Sequence, residues 1–329
     1  MMSCRIITLF LFFTVSLNSA WAQGLPSSSG DALAWLKKMN SAPRQNNFTG
    51  TFVYFADHQI EASRIVHKID QSGEHERIEV LDGIPRIVFR HNDEMQCYLP
   101  ESKRVYTEKR WLRKYFPDYI PHPSDDIDEY YYVTAVRRER VANRDSQVLS
   151  LIPRDSLRYG HQFWIDIETG LLLKVAVTHG NEIIEQFAFV QLETNANISP
   201  DQVIPDDAFM VSDGWKITNL TAALLNEGEL KWEISSFPAG FRKLVEMKRK
   251  LTEKPTLVDH VALTDGLATV SIFIESIDKN ESPVAGFFSS RGAINIYVRT
   301  VGTNKITTVG EVPPGTIKLI GDAVVKQER

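Results

Sequence analysis

The sequence predicts a mainly β (α+β) protein of two units, a long antiparallel meander followed by a smaller sheet packed with a helix. Three observations carry this prediction. Over roughly 150 residues after Asn47, short runs rich in aromatic and β-branched residues alternate with turn signals, as strands and hairpins prefer. The joining turns, such as Asp57-His58, Asp82-Gly83, Asn92-Asp93 and Glu168-Thr169-Gly170, are too short to hold a crossover helix. Neighbouring strands must therefore pair antiparallel, and a βαβ arrangement is excluded. Finally, residues 198–229 carry Pro200, Pro205, Gly214 and Gly228 among several acids, which marks a boundary before a second strand pattern begins.

The chain opens with Arg5, an apolar run over 6–17 and the small-x-small site Ala20-Trp21-Ala22. That is the layout of a cleavable secretory signal, and the run is short of the ~20 residues that span a bilayer as a helix. Cys4 precedes the apolar run, so it is badly placed for a lipid anchor. The mature protein is expected to begin at Gln23 and to work outside the cytoplasm. A helix follows, with Asp31 or Ser29 as its cap. Its stripe is Ala32, Trp35, Leu36 and Met39, and Pro43 ends it.

Strands are then expected over 48–55, 60–69, 76–81, 86–91, 94–99 and 103–109. Further strands are expected over 131–142, 147–152, 161–167, 171–179 and 182–192. Residues 111–129 break this rhythm. Pro117, Pro121 and Pro123 exclude a central strand or an uninterrupted helix, so this stretch reads as a long loop. Its start is basic and aromatic, its end acidic.

The division expected is a signal peptide over 1–22, a large domain over 23–205, a linker over 206–229 and a small domain over 230–329. In the small domain, strands are expected over 230–234, 242–251, 258–263, 267–276, 293–300 and 305–312. Pro313-Pro314-Gly315 opens a closing helix, since proline suits a first turn whose N–H has no partner. Ile317, Leu319, Ile320 and Val324 are its expected sheet-facing residues.

Composition excludes several classes. The full chain has net charge −5, and loss of the signal removes Arg5 and no acid, so nothing suggests a nucleic-acid binder. Beyond the signal only Cys97 remains, which precludes an internal disulfide and reads as a small core residue. No Gly-x-Ser-x-Gly elbow, His-Glu-x-x-His pair or phosphate-cradling glycine loop occurs. His58, His67 and His75 lack metal-ligand spacing, and Asp125, Asp126, Asp128 and Glu129 lack the glycine and spacing of a calcium loop. The expectation is a binding protein, not an enzyme, without cofactor or metal.

Several segments in fixed order carry a resemblance. They are Asn47-Phe-Thr-Gly-Thr-Phe-Val-Tyr54, Arg64-Ile-Val-His-Lys68, Glu79-Val-Leu-Asp-Gly-Ile-Pro-Arg86 and Arg158-Tyr-Gly-His-Gln-Phe-Trp-Ile-Asp166. After them come Glu168-Thr-Gly-Leu-Leu-Leu-Lys174 and Phe237-Pro-Ala-Gly-Phe241. The run over 260–275, Gly292-Ala-Ile-Asn295 and Val309-Gly-Glu-Val-Pro313 complete the set. Together they resemble the MucB/RseB family, periplasmic negative regulators of the sigma-E envelope stress response.

The resemblance implies a large domain similar to the lipoprotein carriers LolA and LolB, an unclosed antiparallel β-barrel with a helical lid. It implies a periplasmic location and, as partner, the periplasmic domain of an anti-sigma factor, RseA or MucA. Holding that segment denies it to the site-1 protease DegS. Lipopolysaccharide or the acyl chains of mislocalised lipoproteins are the implied releasing signals. The number of copies in solution stays open, self-association included.

Barrel mouths commonly take ligands. Phe52, Tyr54, Phe89, Tyr98, Trp111, Phe116 and Trp164 are the candidate lipid-contacting residues, against plain core packing. The stretch 111–129 is a candidate flap over the mouth. Phe241, Arg242, Lys243, Lys248, Arg249 and Lys250 are the candidate partner surface, against a solvated lysine-blocked edge strand. A lipid or lipoprotein carrier without a signalling role is the alternative, although it leaves 230–329 without a purpose.

Overall fold

The computed structural model describes residues 29–109, 126–205, 214–220, 222–226, 229–250, 257–277, 285–289 and 291–327. The signal segment and most of the proline-rich stretch, including Trp111 and Phe116, lie outside the described residues.

The large domain begins with α1 (Ser29–Ser41), followed by β1 (Phe48–Ala56), β2 (Gln59–Asp70), β3 (Gly73–Val80), β4 (Ile87–His91), β5 (Glu94–Leu99) and β6 (Arg104–Lys109). After the one-turn α2 (Ile127–Tyr130) come β7 (Tyr131–Val141), β8 (Arg144–Pro153), β9 (Gly160–Asp166), β10 (Leu172–His179) and β11 (Glu182–Thr194). With β12 (Lys216–Leu220) these strands form one sheet in the order β12-β6-β5-β4-β3-β2-β1-β11-β10-β9-β8-β7. The sheet is not closed, since β12 and β7 are its two ends. The connection through 110–130 leaves β6 near one end and enters β7 at the other.

Register shifts at Thr51/Phe52, Ala135/Arg137, Leu172/Lys174 and Val177/Thr178 bend the strands and curl the sheet. Gly50 serves the same end. A Cβ there would sit 2.7 Å from the Gln191 carbonyl oxygen and 2.7 Å from the Phe189 ring. Glycine lets Phe189 cross over β1 into the concave side.

Helix α1 lies in the concavity, as its stripe predicts. Ala32, Leu36 and Met39 are buried against Phe48, Tyr131, Val133, Leu149, Leu151, Phe163 and Ile165, and Trp35 packs at the margin. Lys38 Nζ donates to the Ile167 carbonyl at 2.7 Å, tying the helix end to the β9–β10 turn. The helix thus fills the β7–β11 half of the curl.

The small domain contains β13 (Ala222–Leu224), β14 (Trp232–Ile234), β15 (Arg242–Lys250), β16 (Leu257–Thr264), β17 (Thr269–Ser276), β18 (Gly286–Ser289), β19 (Asn295–Val301) and β20 (Asn304–Gly310). It ends in α3 (Pro314–Asp322) and β21 (Val324–Lys326). Its sheet runs β13-β15-β16-β17-β20-β19-β18, all antiparallel, while β14 pairs with β21. Ile317 and Ile320 of α3 bury against Val261, Leu263, Val270, Ile272 and Ile306. Leu319 does not face the sheet. At 100° per helical residue it points the other way, and it is 44% exposed. Val324 is buried, but from β21 and not from the helix.

The stretch expected as linker contributes two strands that hydrophobic pattern did not reveal. Strand β12 adds in parallel to β6, and β13 adds antiparallel to β15. One residue separates them, so the crossing chain is annealed to an edge of each sheet in turn.

Candidate functional site

The half of the curl that α1 leaves free holds a cavity of about 450 Å³. Strand alternation decides its walls, since residues two apart share a face. Phe52 and Tyr54 of β1, Ile78 and Val80 of β3, Val88 of β4, Met95 and Cys97 of β5 and Phe187 of β11 form the mainly apolar lining. Ile294 and Glu311 of the small domain complete it.

The same alternation places three of the candidate lipid-contacting residues away from this cavity. Phe89 and Tyr98 fall on the opposite face of β4 and β5, packed edge-to-face at 5.4 Å, with Tyr98 also 6.0 Å from the Trp215 ring. Trp164 is likewise on the outer face, with Val148 and Ala176. Its Nε1 donates to Glu139 at 2.5 Å and Lys174 lies 4.2 Å over its ring. Cys97 is half-buried on the cavity wall, not in the core.

The polar residues of the wall were missed by sequence reading. Arg90 donates to Glu76 Oε1 at 2.6 Å and lies 3.8 Å from Glu74. His67 Nδ1 faces the same Glu76 oxygen at 2.9 Å, and its Nε2 faces the Pro43 carbonyl at 2.9 Å. Both ring nitrogens of His67 thus face oxygen atoms, and His67 and Arg90 meet on the same Glu76 oxygen. Across the mouth, the Tyr54 hydroxyl donates to Glu185 Oε2 at 3.2 Å. Burial, and then the Glu185 charge, push the Tyr54 phenol well above its usual range, so it stays a donor. The legible signal was alternation itself: continuing the face of Phe52 and Tyr54 through the tight turns reaches Ile78, Arg90 and Cys97.

The two domains are pinned beside this cavity. Leu267 and Ala293, from two small-domain turns, are buried in the large-domain core. Arg158 Nη1 meets Asp265 at 3.3 Å, and neither side chain has exposed surface. Arg158 also pairs with Asp155 at 3.1 Å, donates to the Ala239 carbonyl and lies over the rings of Tyr130, Tyr131 and Phe241. The Tyr131 hydroxyl donates to Asp265 at 2.9 Å, and burial first, with Asp265 second, pushes that phenol up. Phe241 is therefore an interdomain contact, not a surface residue.

The basic run divides over both faces of β15. Lys248 and Lys250 stand opposite Asp259 and Leu257 on one face, whereas Arg249 stands with Met247 on the other. Arg249 reaches Glu108 of β6 at 2.5 Å, so its charge is spent between the domains. Arg242, Lys243, Lys248 and Lys250 are exposed.

Comparison with known proteins assigns both halves of the chain. The MucB/RseB N-terminal domain matches residues 31–207 and the MucB/RseB C-terminal domain matches residues 226–325. The sigma factor AlgU regulatory protein MucB of Pseudomonas aeruginosa is 30% identical over 302 residues, covering 89% of this chain and 90% of that protein. The sigma-E factor regulatory protein RseB of Escherichia coli K12 is 25% identical over 314 residues, covering 94% and 93%. A crystal structure of MucB in complex with MucA(peri) superposes with a TM-score of 0.70 at 26% identity, over 91% of this chain and all of that one. By its two matched domains, its unclosed sheet and its relatives along nearly the whole length, this chain belongs to the MucB/RseB family.

Proposed function

We propose that the mature chain is a periplasmic negative regulator of the sigma-E envelope stress response. In this reading it binds the periplasmic domain of an anti-sigma factor of the RseA/MucA type and shields it from site-1 proteolysis. The observation that carries the reading is the likeness, over both domains, to a MucB solved in complex with MucA(peri). The chain works by binding and not by catalysis.

The small domain, 230–329, and the linker, 206–229, supply much of the partner surface. Arg242, Lys243, Lys248 and Lys250 are its exposed cations, and they suit an acidic segment. The large domain, 23–205, takes the releasing signal, an acyl chain of lipopolysaccharide or of a mislocalised lipoprotein. Support comes from the apolar walls around Phe52, Ile78, Val88 and Phe187. A volume of about 450 Å³ falls within the usual range for ligand pockets, and each buried CH2 contributes about 0.8 kcal/mol.

The cavity alone also suits a lipid carrier without a signalling role. Against that stands the small domain, whose turns are built into the large-domain core. Reversing Arg242, Lys243 and Lys248 to Glu tests the surface. Affinity for the anti-sigma periplasmic domain should fall and its salt dependence flatten. Unchanged affinity at low and high salt would remove this surface from the account.

A further inference from the structure

Among the described residues, the small domain contributes a cover over the cavity. The turn ahead of β19, Arg291-Gly292-Ala293-Ile294, lies across the mouth. Arg291 sits 4.8 Å over the Tyr54 ring and 3.6 Å from Glu61. The Gly292 N–H donates to Asp57 Oδ2 at 3.0 Å, and the Ala293 N–H donates to Glu185 Oε2 at 3.0 Å. Ala293 is buried in the large-domain core, and Ile294 forms part of the cavity wall.

Gly292 is held at φ +69°, where other residues are strained. A Cβ there would run into the Glu185 carboxylate and lie 2.7 Å from the Tyr54 hydroxyl. The turn therefore fits its receptacle only as glycine.

We propose that residues 291–294 are a built-in latch that competes with a bound amphiphile for the cavity mouth. This rests on reading the cavity as a lipid site. Three anchors of the latch, Tyr54, Glu61 and Glu185, are themselves cavity wall residues, as is Ile294. An acyl chain with a polar head that fills the cavity meets the groups that hold the latch. Ligand and latch cannot both satisfy Glu185 and Tyr54. Filling the cavity thus lifts Ile294 and Arg291, and the rest of the small domain is attached to them through β19. Part of the ligand's affinity is spent on opening the latch, as for any site whose competent state is only partly populated.

The test uses the full mature chain, a fluorescent C16 fatty acid as probe, and two variants outside the cavity wall. Gly292→Val drives a side chain into the receptacle. Asp57→Ala removes one anchor and serves should the valine variant fail to fold. Both should bind the probe more tightly than the parent, by about five-fold or more for the variant that springs the latch. In the parent, the amides of Gly292 and Ala293 should exchange faster once the probe is bound. Probe binding by the parent with no tightening in either folded variant, and no change in those amides, overturns the latch alone. No binding by the parent or by either variant overturns the lipid reading of the cavity as well.

Discussion

Removing the Asp265 carboxylate should loosen the two domains from one another, by an amount set by what that group touches. Arg158 and Asp265 are fully buried, so Asp265→Ala strands a guanidinium away from water. Loss of one partner of a buried pair costs about 3–5 kcal/mol. Asp265 also accepts the N–H groups of Leu267 and Ala268 at 3.0 and 2.7 Å, and the Tyr131 hydroxyl at 2.9 Å. Each buried donor left without a partner adds about 1–3 kcal/mol. Asp155, three aromatic rings and the Ala239 carbonyl still hold Arg158 and offset part of this. Asp265→Asn keeps a carbonyl oxygen for the backbone donors but loses the charge and puts an NH2 donor where Oδ2 accepts from Tyr131 and Arg158. We expect about 3 kcal/mol for Asp265→Asn and about 5 kcal/mol for Asp265→Ala. The assay is urea unfolding of the full chain, followed by tryptophan fluorescence and far-ultraviolet circular dichroism. Because the lost contacts join two units, the variants should show transitions that no longer coincide. Both variants within 1 kcal/mol of the parent, with one coincident transition, would refute the reasoning.

Other expectations are as direct. Burial, and then Arg249, push the His260 imidazole down to about 3 from an ordinary 6.5, and among the described residues neither ring nitrogen has a hydrogen-bond partner. The unfolded chain therefore binds this proton more readily than the folded one, and stability falls as pH drops from about 6.5 towards 3. Between pH 6.5 and 4.5 that slope is worth about 2–3 kcal/mol. Denaturation at the two pH values should show His260→Phe losing less stability than the parent by that amount, and an equal loss would contradict it. Phe52→Ala should weaken fatty-acid binding, whereas Phe89→Ala should leave it within two-fold or so, as walls and outer face differ by strand alternation. Equal losses in a fluorescence titration would put the ligand elsewhere. Gly50→Val should lower the melting temperature through a cost of about 1–3 kcal/mol, because its added carbons meet the Gln191 backbone. An unchanged melting curve would mean that the sheet's curl does not depend on this glycine.

Strand existence was legible because turns and alternation are local signals. Each of the eleven strands read before residue 195 occurs in the structure, with ends shifted by a few residues. Strands β12, β13, β18 and β21 were not read, since short polar segments such as Lys216–Leu220 become strands only because a sheet edge is there to receive them. The face of a strand was harder to read than the strand. Phe52, Tyr54, Phe89, Tyr98 and Trp164 are all strand aromatics, and only a continuous register through several hairpins separates the first two from the rest. Arg249 and Phe241 misled for another reason. A charge run or a phenylalanine in a turn looks like surface until Glu108 and Arg158 arrive from the other domain, which no local pattern announces. Conversely, Arg158, Asp265 and Gly292 all stand in segments that carried the family resemblance, and the structure places all three at the domain junction.

One titration reaches the centre of the account. The full mature chain is bound to a fluorescently labelled anti-sigma periplasmic domain, and the complex is titrated with lipopolysaccharide while anisotropy is followed. The account predicts that a stable complex forms and that lipopolysaccharide releases the labelled segment, with Phe52→Ala requiring more lipid for the same release. A complex that forms but is indifferent to lipid, or no complex at all, would contradict it.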